Sequence, residues 1–149
     1  MANMFKGIRS ATIVALMCAF SLGAASKKAV QPPGTRPGMP FSPGILSGGT
    51  LYVSGTIGND PKTGKVPAEF EAEVRQAFEN INAVLKQAGY TFDDAVSVQV
   101  YLTDISLFPR MNKVYMTFFK EPRPARTTVG VAALASPDAK IEITVTAQK

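Results

Sequence analysis

Two side chains of this chain are placed where they could do chemistry. Glu142 lies in an alternating apolar segment, between Ile141 and Ile143. A carboxylate in a buried segment must find hydrogen-bond donors or have its pKa raised, and a carboxyl group with a raised pKa is a candidate general acid or base. Arg126 follows a Pro-Ala pair at the start of a predicted strand, where a fixed guanidinium could bind a carboxylate through two hydrogen bonds. A salt bridge for Glu142 and a peripheral ion pair for Arg126 are the structural alternatives.

The composition excludes several other kinds of site. The 149 residues contain no His and one Cys, which excludes Ser-His and Cys-His catalysis and His/Cys zinc sites. The net charge of +5 would permit contact with nucleic acid or an anionic membrane. The sequence has no glycine-rich phosphate loop, no acidic cluster with metal-ligand spacing, and no basic helix with interleaved aromatic residues. We therefore expect no metal, no nucleotide cofactor and no nucleic-acid partner.

Residues 1–25 are typical of a secretory signal peptide. Lys6 and Arg9 precede an apolar run over residues 11–25, which ends in small residues. This run is shorter than the roughly 20 apolar residues that span a bilayer. We expect cleavage, a periplasmic or secreted product, and no stable association with the membrane afterwards. Cys18 lies within the run, so the mature chain would have no disulfide.

The rest of the chain is predicted to be a short arm followed by one domain. Residues 26–39 are rich in proline and glycine and are interpreted as a linker or extended arm. Residues 40–149 have the length and composition of a single domain. Within it, two short apolar runs on either side of Gly48 and Gly49 predict a hairpin.

The hydrophobic periodicity predicts two helices. Apolar residues at spacings of three and four indicate a helix over 69–88, with Gly89 as its left-handed terminating residue, and another over 107–119. The acidic residues of the first helix are predicted on its solvated face: Glu69, Glu71, Glu73 and Glu79. Alternating patterns predict three further strands, over 96–102, 126–131 and 140–147.

The order β-β-α-β-α-β-β predicts an α+β two-layer sandwich, a mixed sheet with both helices on one face. The other face is predicted to carry polar and aromatic side chains: Ser97, Gln99, Tyr101, Thr128, Glu142, Thr144 and Thr146. Arg126 shares the register of Thr128 and is predicted to point to this face as well. Such a face is too polar for a core and too rich in β-branched and aromatic groups to be simply solvated. We expect it to pack against another copy of the chain.

Seven segments, in order and spacing, resemble the Rid/YjgF family of reactive-intermediate (enamine/imine) deaminases over residues 40–147. They are Pro-Phe-Ser-Pro at 40–43, Leu-Tyr-Val-Ser-Gly at 51–55, Ala-Phe-Glu-Asn-Ile at 77–81, Val-Tyr-Leu-Thr-Asp at 100–104, Met-Asn-Lys-Val-Tyr at 111–115, Pro-Ala-Arg-Thr-Thr-Val at 124–129 and Ile-Glu-Ile at 141–143. The resemblance implies a chorismate-mutase-like fold assembled as a homotrimer, with three sites in the clefts between subunits. It also implies hydrolysis of imines such as 2-iminopropanoate, formed from 2-aminoacrylate, to a 2-oxo acid and ammonia without a cofactor.

The resemblance also implies roles for individual residues. Arg126 would hold the substrate carboxylate, and Glu142 would orient or activate the water that attacks the imine carbon. The backbone at Gly55 and Thr128 would contact the substrate, and Asn112 would support the pocket. Phe41 stands where many active members have tyrosine; it would keep an aromatic wall of the substrate site but lose a hydroxyl group.

Two other functions remain as alternatives. One is a non-catalytic, ligand-binding or chaperone-like trimer of the same fold, in which Phe41 marks the loss of activity. The other is a ribonuclease or translation inhibitor, activities sometimes assigned to relatives. The ribonuclease function fits poorly with export and with the small positive charge that remains after cleavage.

Overall fold

The structure is a computed structural model that describes residues 26–149. The predicted signal peptide, residues 1–25, lies outside the described residues. The described chain forms six strands and two helices: β1 Lys28–Val30, β2 Gly44–Ser47, β3 Thr50–Ile57, α1 Phe70–Gln87, β4 Ala95–Leu102, α2 Phe108–Phe118, β5 Ala125–Gly130 and β6 Ile141–Gln148. Among these residues, neither helix has the length and apolar character needed to cross a membrane.

The six strands form one mixed sheet in the order β1-β2-β3-β6-β4-β5. Only β4 and β5 are parallel; all other neighbours are antiparallel. Helix α1 packs on β3, β6 and α2, so both helices cover the same face of the sheet. The predicted two-layer α+β arrangement is therefore confirmed.

The predicted hairpin is the connection between β2 and β3. Gly48 and Gly49 have φ angles of 56° and 78°, the left-handed conformation that a two-residue hairpin turn requires of both residues. Strand β1, by contrast, lies within the stretch interpreted as an arm: Ala29 pairs with Ile45 at the edge of the sheet. Three residues are too few to show an alternating pattern, so the sequence did not indicate this strand.

The core lies between the sheet and the two helices. Phe78 of α1 is fully buried at its centre. Its ring stacks on Phe118 at a centroid distance of 4.7 Å and meets the edges of Tyr115 and Phe92, each at 5.9 Å. Offset and edge-to-face ring pairs of this kind add to the free energy gained from burial. This aromatic cluster fixes α2 relative to α1 and so determines where the side chains of α2 meet the sheet.

Glu73 is not on the solvated face of α1 as predicted; it is 0% exposed. Its Oε1 atom accepts hydrogen bonds from the backbone N–H groups of Lys140, at 2.6 Å, and Ile141, at 3.2 Å. Oε2 lies 3.8 Å from Nζ of Lys140. The chain enters β6 against the first turn of α1, and two backbone donors there need an acceptor. A contact between segments 67 residues apart leaves no trace in the periodicity of the helix, so the sequence could not show it.

Replacing Glu73 by alanine is expected to lower the free energy of unfolding by about 2–4 kcal/mol, because each buried N–H group left without an acceptor costs about 1–3 kcal/mol. Urea unfolding at matched protein concentration measures the loss. Glu79→Ala, an exposed position on the same helix, is the control and should change the stability by less than about 0.5 kcal/mol. Equal stabilities of the two variants would contradict a structural role for Glu73.

Candidate active site

Arg126 on β5 is held in place by one face of α2. Its Nη1 atom donates a hydrogen bond to Oδ1 of Asn112 at 2.8 Å. The centre of the guanidinium lies 4.5 Å from the ring centroid of Tyr115 and 5.4 Å from that of Phe108, within the range of cation–π attraction. Within residues 26–149 no carboxylate forms an ion pair with Arg126. The site thus presents a fixed positive charge whose remaining donors can bind an anion.

The face of the sheet on which Arg126 lies differs from the prediction. Arg126 is level with Val98 and Thr128 with Val100 on the neighbouring strand β4, and both valines are completely buried beneath the helices. Side chains level with each other on neighbouring strands point to the same side of a sheet. Arg126 and Thr128 therefore face α2, and the prediction that they face the open side is wrong. Alternation along one strand shows which residues share a face but not which face it is.

Two buried hydroxyl groups belong to the same face of the site: that of Tyr115, whose ring contacts the guanidinium, and that of Thr128, two residues along β5. Oγ1 of Thr128 and the hydroxyl of Tyr115 are both inaccessible and have no hydrogen-bond partner within the described residues. Burial raises the pKa of Tyr115, although the charges of Arg126 and Arg123 oppose the shift. The phenol is therefore uncharged at neutral pH and supports the guanidinium with its ring rather than as an anion.

Of the residues that α2 contributes to the site, Asn112 was expected from the family resemblance, whereas Phe108 and Tyr115 were not. In the sequence, both aromatic residues are explained by the apolar pattern of the predicted helix over 107–119. A signal was nevertheless available: with Asn112 they follow spacings of four and three residues, which places all three on one face of a helix. We call these three residues, together with Arg126 and Thr128, the arginine cluster.

Glu142 lies on the opposite face of the sheet. It is level with Tyr101 of β4 and Ile57 of β3, between the fully buried Ile141 and Ile143. Its side chain is partly buried and makes no hydrogen bond or ion pair within residues 26–149. A carboxylate with both oxygen atoms free of protein donors is available to a ligand or a water molecule.

Gly55 gives the carboxylate of Glu142 its space. The pairing of β3 with β6 shifts register between Val53 and Thr56, and Gly55 lies in this irregular stretch. A Cβ atom added to Gly55 would overlap Oε1 of Glu142, so only glycine allows the carboxylate to rest against the strand here. The sequence could not show this contact, because it depends on the register shift.

Phe41 and Gly55 line the same groove, which has a volume of about 530 Å³. The groove lies between the segment 32–43, the end of β3 and helix α1. The ring of Phe41 is 56% exposed, so its face is accessible to a ligand in the groove. We call Phe41, Gly55 and Glu142 the glutamate cluster.

The six residues predicted from the sequence thus form two groups of three in one chain. Asn112, Arg126 and Thr128 belong to the arginine cluster, and Phe41, Gly55 and Glu142 to the glutamate cluster. Arg126 and Glu142 point to opposite faces of the sheet. One group can bind an anion and the other can take a proton from water, but the two do not meet within one chain. Residues 26–149 contain no group of three or more His, Cys, Asp or Glu side chains arranged to hold a metal ion.

Comparison with known proteins gives consistent matches over most of the chain. The family model described as Endoribonuclease L-PSP matches residues 33–149. The RutC family protein SSO3206 of Saccharolobus solfataricus is 47% identical over 125 residues, which is 83% of this chain and 94% of that protein. A rat (Rattus norvegicus) protein named 2-iminobutanoate/2-iminopropanoate deaminase is 41% identical over 104 residues, covering 69% of this chain and 75% of its own length.

A solved structure shows the same fold. The structure of TdcF from E. coli with bound serine superimposes with a TM-score of 0.72 at 33% identity. The superposition covers 82% of this chain and 96% of TdcF. The sheet and the two helices described above are therefore an arrangement shared with a protein that holds a small amino acid.

Proposed function

Because this chain belongs to the Rid/YjgF/RutC (endoribonuclease L-PSP) family, we propose that it hydrolyses reactive 2-imino acids of the 2-aminoacrylate/2-iminopropanoate type to 2-oxo acids and ammonia. The observation that carries the proposal is the guanidinium of Arg126, which Asn112 and two aromatic rings hold in place without an acidic partner. A charge fixed in this way suits the carboxylate of a small acid. The name of the rat relative and the serine bound to TdcF support a substrate of that size and class.

The proposed site forms between two copies of the chain, in a homotrimer. A small acid bound to Arg126 cannot reach Glu142 of the same chain, because the two side chains leave opposite faces of the sheet. The open face offers a surface for association: Tyr52 is 53% exposed and Val129 40% exposed. Exposed aromatic and β-branched side chains on a sheet are typical of surfaces that pack against another subunit. In such an assembly the arginine cluster of one copy meets the glutamate cluster of its neighbour.

The proposed reaction needs only these two clusters and one water molecule. Arg126 holds the carboxylate of the imino acid. Glu142 of the neighbouring copy takes a proton from water while the oxygen atom bonds to the imine carbon, and the proton then passes to the nitrogen. The proton of the new hydroxyl group is then transferred to the same nitrogen by way of Glu142, the carbon–nitrogen bond breaks, ammonia leaves and the carbonyl group forms. An imine carbon is already electrophilic, so fixed geometry and a general base suffice without a nucleophilic side chain or a cofactor.

The other parts of the proposal concern the pocket wall and the location of the protein. Phe41 supplies an apolar wall at a position where many active members of the family have tyrosine. The substrate is therefore held there by packing rather than by a hydrogen bond. Residues 1–25 direct the protein to the periplasm or out of the cell. The substrate is therefore an imino acid that arises outside the cytoplasm or crosses into the same compartment.

The experiment that tests this function is a deaminase assay on the purified protein. An amino-acid oxidase generates 2-iminopropanoate in the cuvette, and the formation of pyruvate is followed with and without the protein. We expect the protein to accelerate pyruvate release over the spontaneous hydrolysis. No acceleration, together with saturable binding of pyruvate, would instead identify the protein as a binding module of the same fold.

A further inference from the structure

The groove beside Phe41 and Gly55 also contains a second unpaired positive charge. Arg36 is part of its lining. Within residues 26–149 the guanidinium of Arg36 makes no ion pair and no hydrogen bond. Neither cluster of the proposed active site includes this residue, and the reaction described above does not use it.

The position of Arg36 is restricted by two Pro-Gly turns. The first turn ends at Thr35, whose backbone N–H and hydroxyl both donate to the carbonyl of Pro32, at 3.1 and 2.6 Å. Gly34 takes the left-handed φ of 84° that this turn needs, and Gly38 in the second turn has a φ of 76°. The residue after Arg36 is Pro37, which restricts the backbone of Arg36 to extended conformations. The arginine is thus presented by an ordered segment, which lowers the entropic cost of binding a ligand there.

Two other polar side chains at the groove, those of Asn80 and Asp60, are already engaged, whereas the side-chain amide of Asn59 makes no hydrogen bond within residues 26–149 and is uncharged. The side-chain amide of Asn80 donates to the carbonyls of Ile57 and Asn59, at 3.0 and 2.8 Å, and its oxygen accepts from Gln76. The carboxylate of Asp60, in the adjoining loop, accepts from its own turn. Arg36 is the charged donor of the groove that has no partner.

Most of the other lining is apolar and connects Arg36 with the glutamate cluster. The side chains that contribute are Met39, Phe41, Pro43, Ile57, Ala83 and Val84. Gly55 is the point at which the groove meets the carboxylate of Glu142. The groove that Arg36 lines therefore lies beside the carboxylate of Glu142 at Gly55, and a ligand that enters it there meets mostly apolar side chains and one unpaired positive charge.

We propose that this groove receives the side chain of the substrate and that Arg36 binds an anionic group at the end of that side chain. The substrate class is a 2-imino acid with an apolar stem and a second, terminal carboxylate. This inference rests on the proposed function, since Glu142 marks the reacting end of the ligand. The volume of about 530 Å³ exceeds what a three-carbon imino acid fills and accommodates a longer chain.

The test compares matched pairs of imines whose side chains end in a carboxylate or in the isosteric amide. An amino-acid oxidase generates them in situ from aspartate, glutamate, 2-aminoadipate and 2-aminopimelate and from the corresponding ω-amides. At the best chain length we expect kcat/KM for the acid to exceed that for the amide by about tenfold or more, the size of effect of one charge-assisted hydrogen bond. In Arg36→Gln the ratio of acid to amide should fall to about one. Because both values of kcat/KM are measured on the same variant, a general loss of activity lowers them equally and leaves their ratio unchanged.

Arg75→Gln is the matched control, because Arg75 is an exposed arginine on α1 outside the groove, and its ratio should equal that of the unmodified protein. Equal rates for acid and amide at every chain length, or a preference that persists in Arg36→Gln, would overturn the inference while leaving the proposed deaminase intact. If no imine is turned over at all, the deaminase proposal fails instead. In that case, the binding of the matching 2-oxo dicarboxylates and their amides is measured by calorimetry. The inference requires that Arg36→Gln bind the dicarboxylate more weakly than the unmodified protein does and bind the amide equally well. Equal affinity of the two proteins for the dicarboxylate would overturn it.

Discussion

Replacing Arg126 by alanine is expected to lower kcat/KM for 2-iminopropanoate by about 10²–10³-fold, because losing one partner of a desolvated, hydrogen-bonded charge pair costs about 2–5 kcal/mol. The guanidinium is held by Asn112 and by the rings of Tyr115 and Phe108, so its position is set before the ligand arrives. Steady-state kinetics on the in situ imine measure the loss. Arg126→Lys keeps the charge but not the planar, two-pronged donor geometry and should recover only part of the rate.

The control for Arg126→Ala is Arg75→Ala, which also removes one arginine charge but does so at an exposed position of α1 outside both clusters. It should retain the rate of the unmodified protein. Arg126 makes no ion pair within the described residues, so its replacement should leave a folded protein with a similar melting temperature. A folded Arg126→Ala variant with an undiminished kcat/KM would contradict the role of the arginine as the carboxylate anchor.

Replacing Glu142 by glutamine is expected to lower kcat by about 10²–10⁴-fold, the contribution typical of a general base. Glutamine retains the size and hydrogen-bonding reach of the side chain but cannot take a proton from water at neutral pH. Because Gly55 leaves space for the carboxylate, the amide should fit the same place. KM should change much less than kcat, since the lost interaction acts mainly in the transition state.

Glu79→Gln serves as the matched control for this variant, since it makes the same chemical change at an exposed position of α1. It should have the kcat of the unmodified protein. If Glu142→Gln instead raised KM and left kcat unchanged, the carboxylate would contribute to binding and not to proton transfer, and another group would have to activate the water.

Much of the fold could be predicted because its elements have local signatures. Helix α1 shows a clear apolar stripe and ends at Gly89, whose φ is 78°. The hairpin follows from two adjacent glycines. Strand β1 could not be predicted, because three residues show no pattern. The position of Glu73 could not be predicted either, because it depends on the meeting of α1 with the start of β6.

The candidate site could be predicted as a set of residues but not as a geometry. The sequence indicated Arg126 and Glu142 as unusual, and the resemblance to the family supplied their roles. The sequence did not indicate that Arg126 lies on the face of the sheet that the helices cover. That placement depends on the register of β5 against β4, which is a property of the sheet and not of either strand. Two groups predicted to share one face lie on opposite faces, so the proposed site requires two copies of the chain.

The most direct test of that requirement is to mix two inactive variants, Arg126→Ala and Glu142→Gln. The two proteins are dissociated together and reassembled in equal amounts, and deaminase activity is measured against each variant treated alone. If every site takes its arginine from one copy and its glutamate from the neighbour, about a quarter of the sites in randomly mixed closed rings contain both groups. We expect activity to return to about a quarter of that of the unmodified protein treated in the same way. Mixed assemblies as inactive as the separate variants would show that no site is shared between copies.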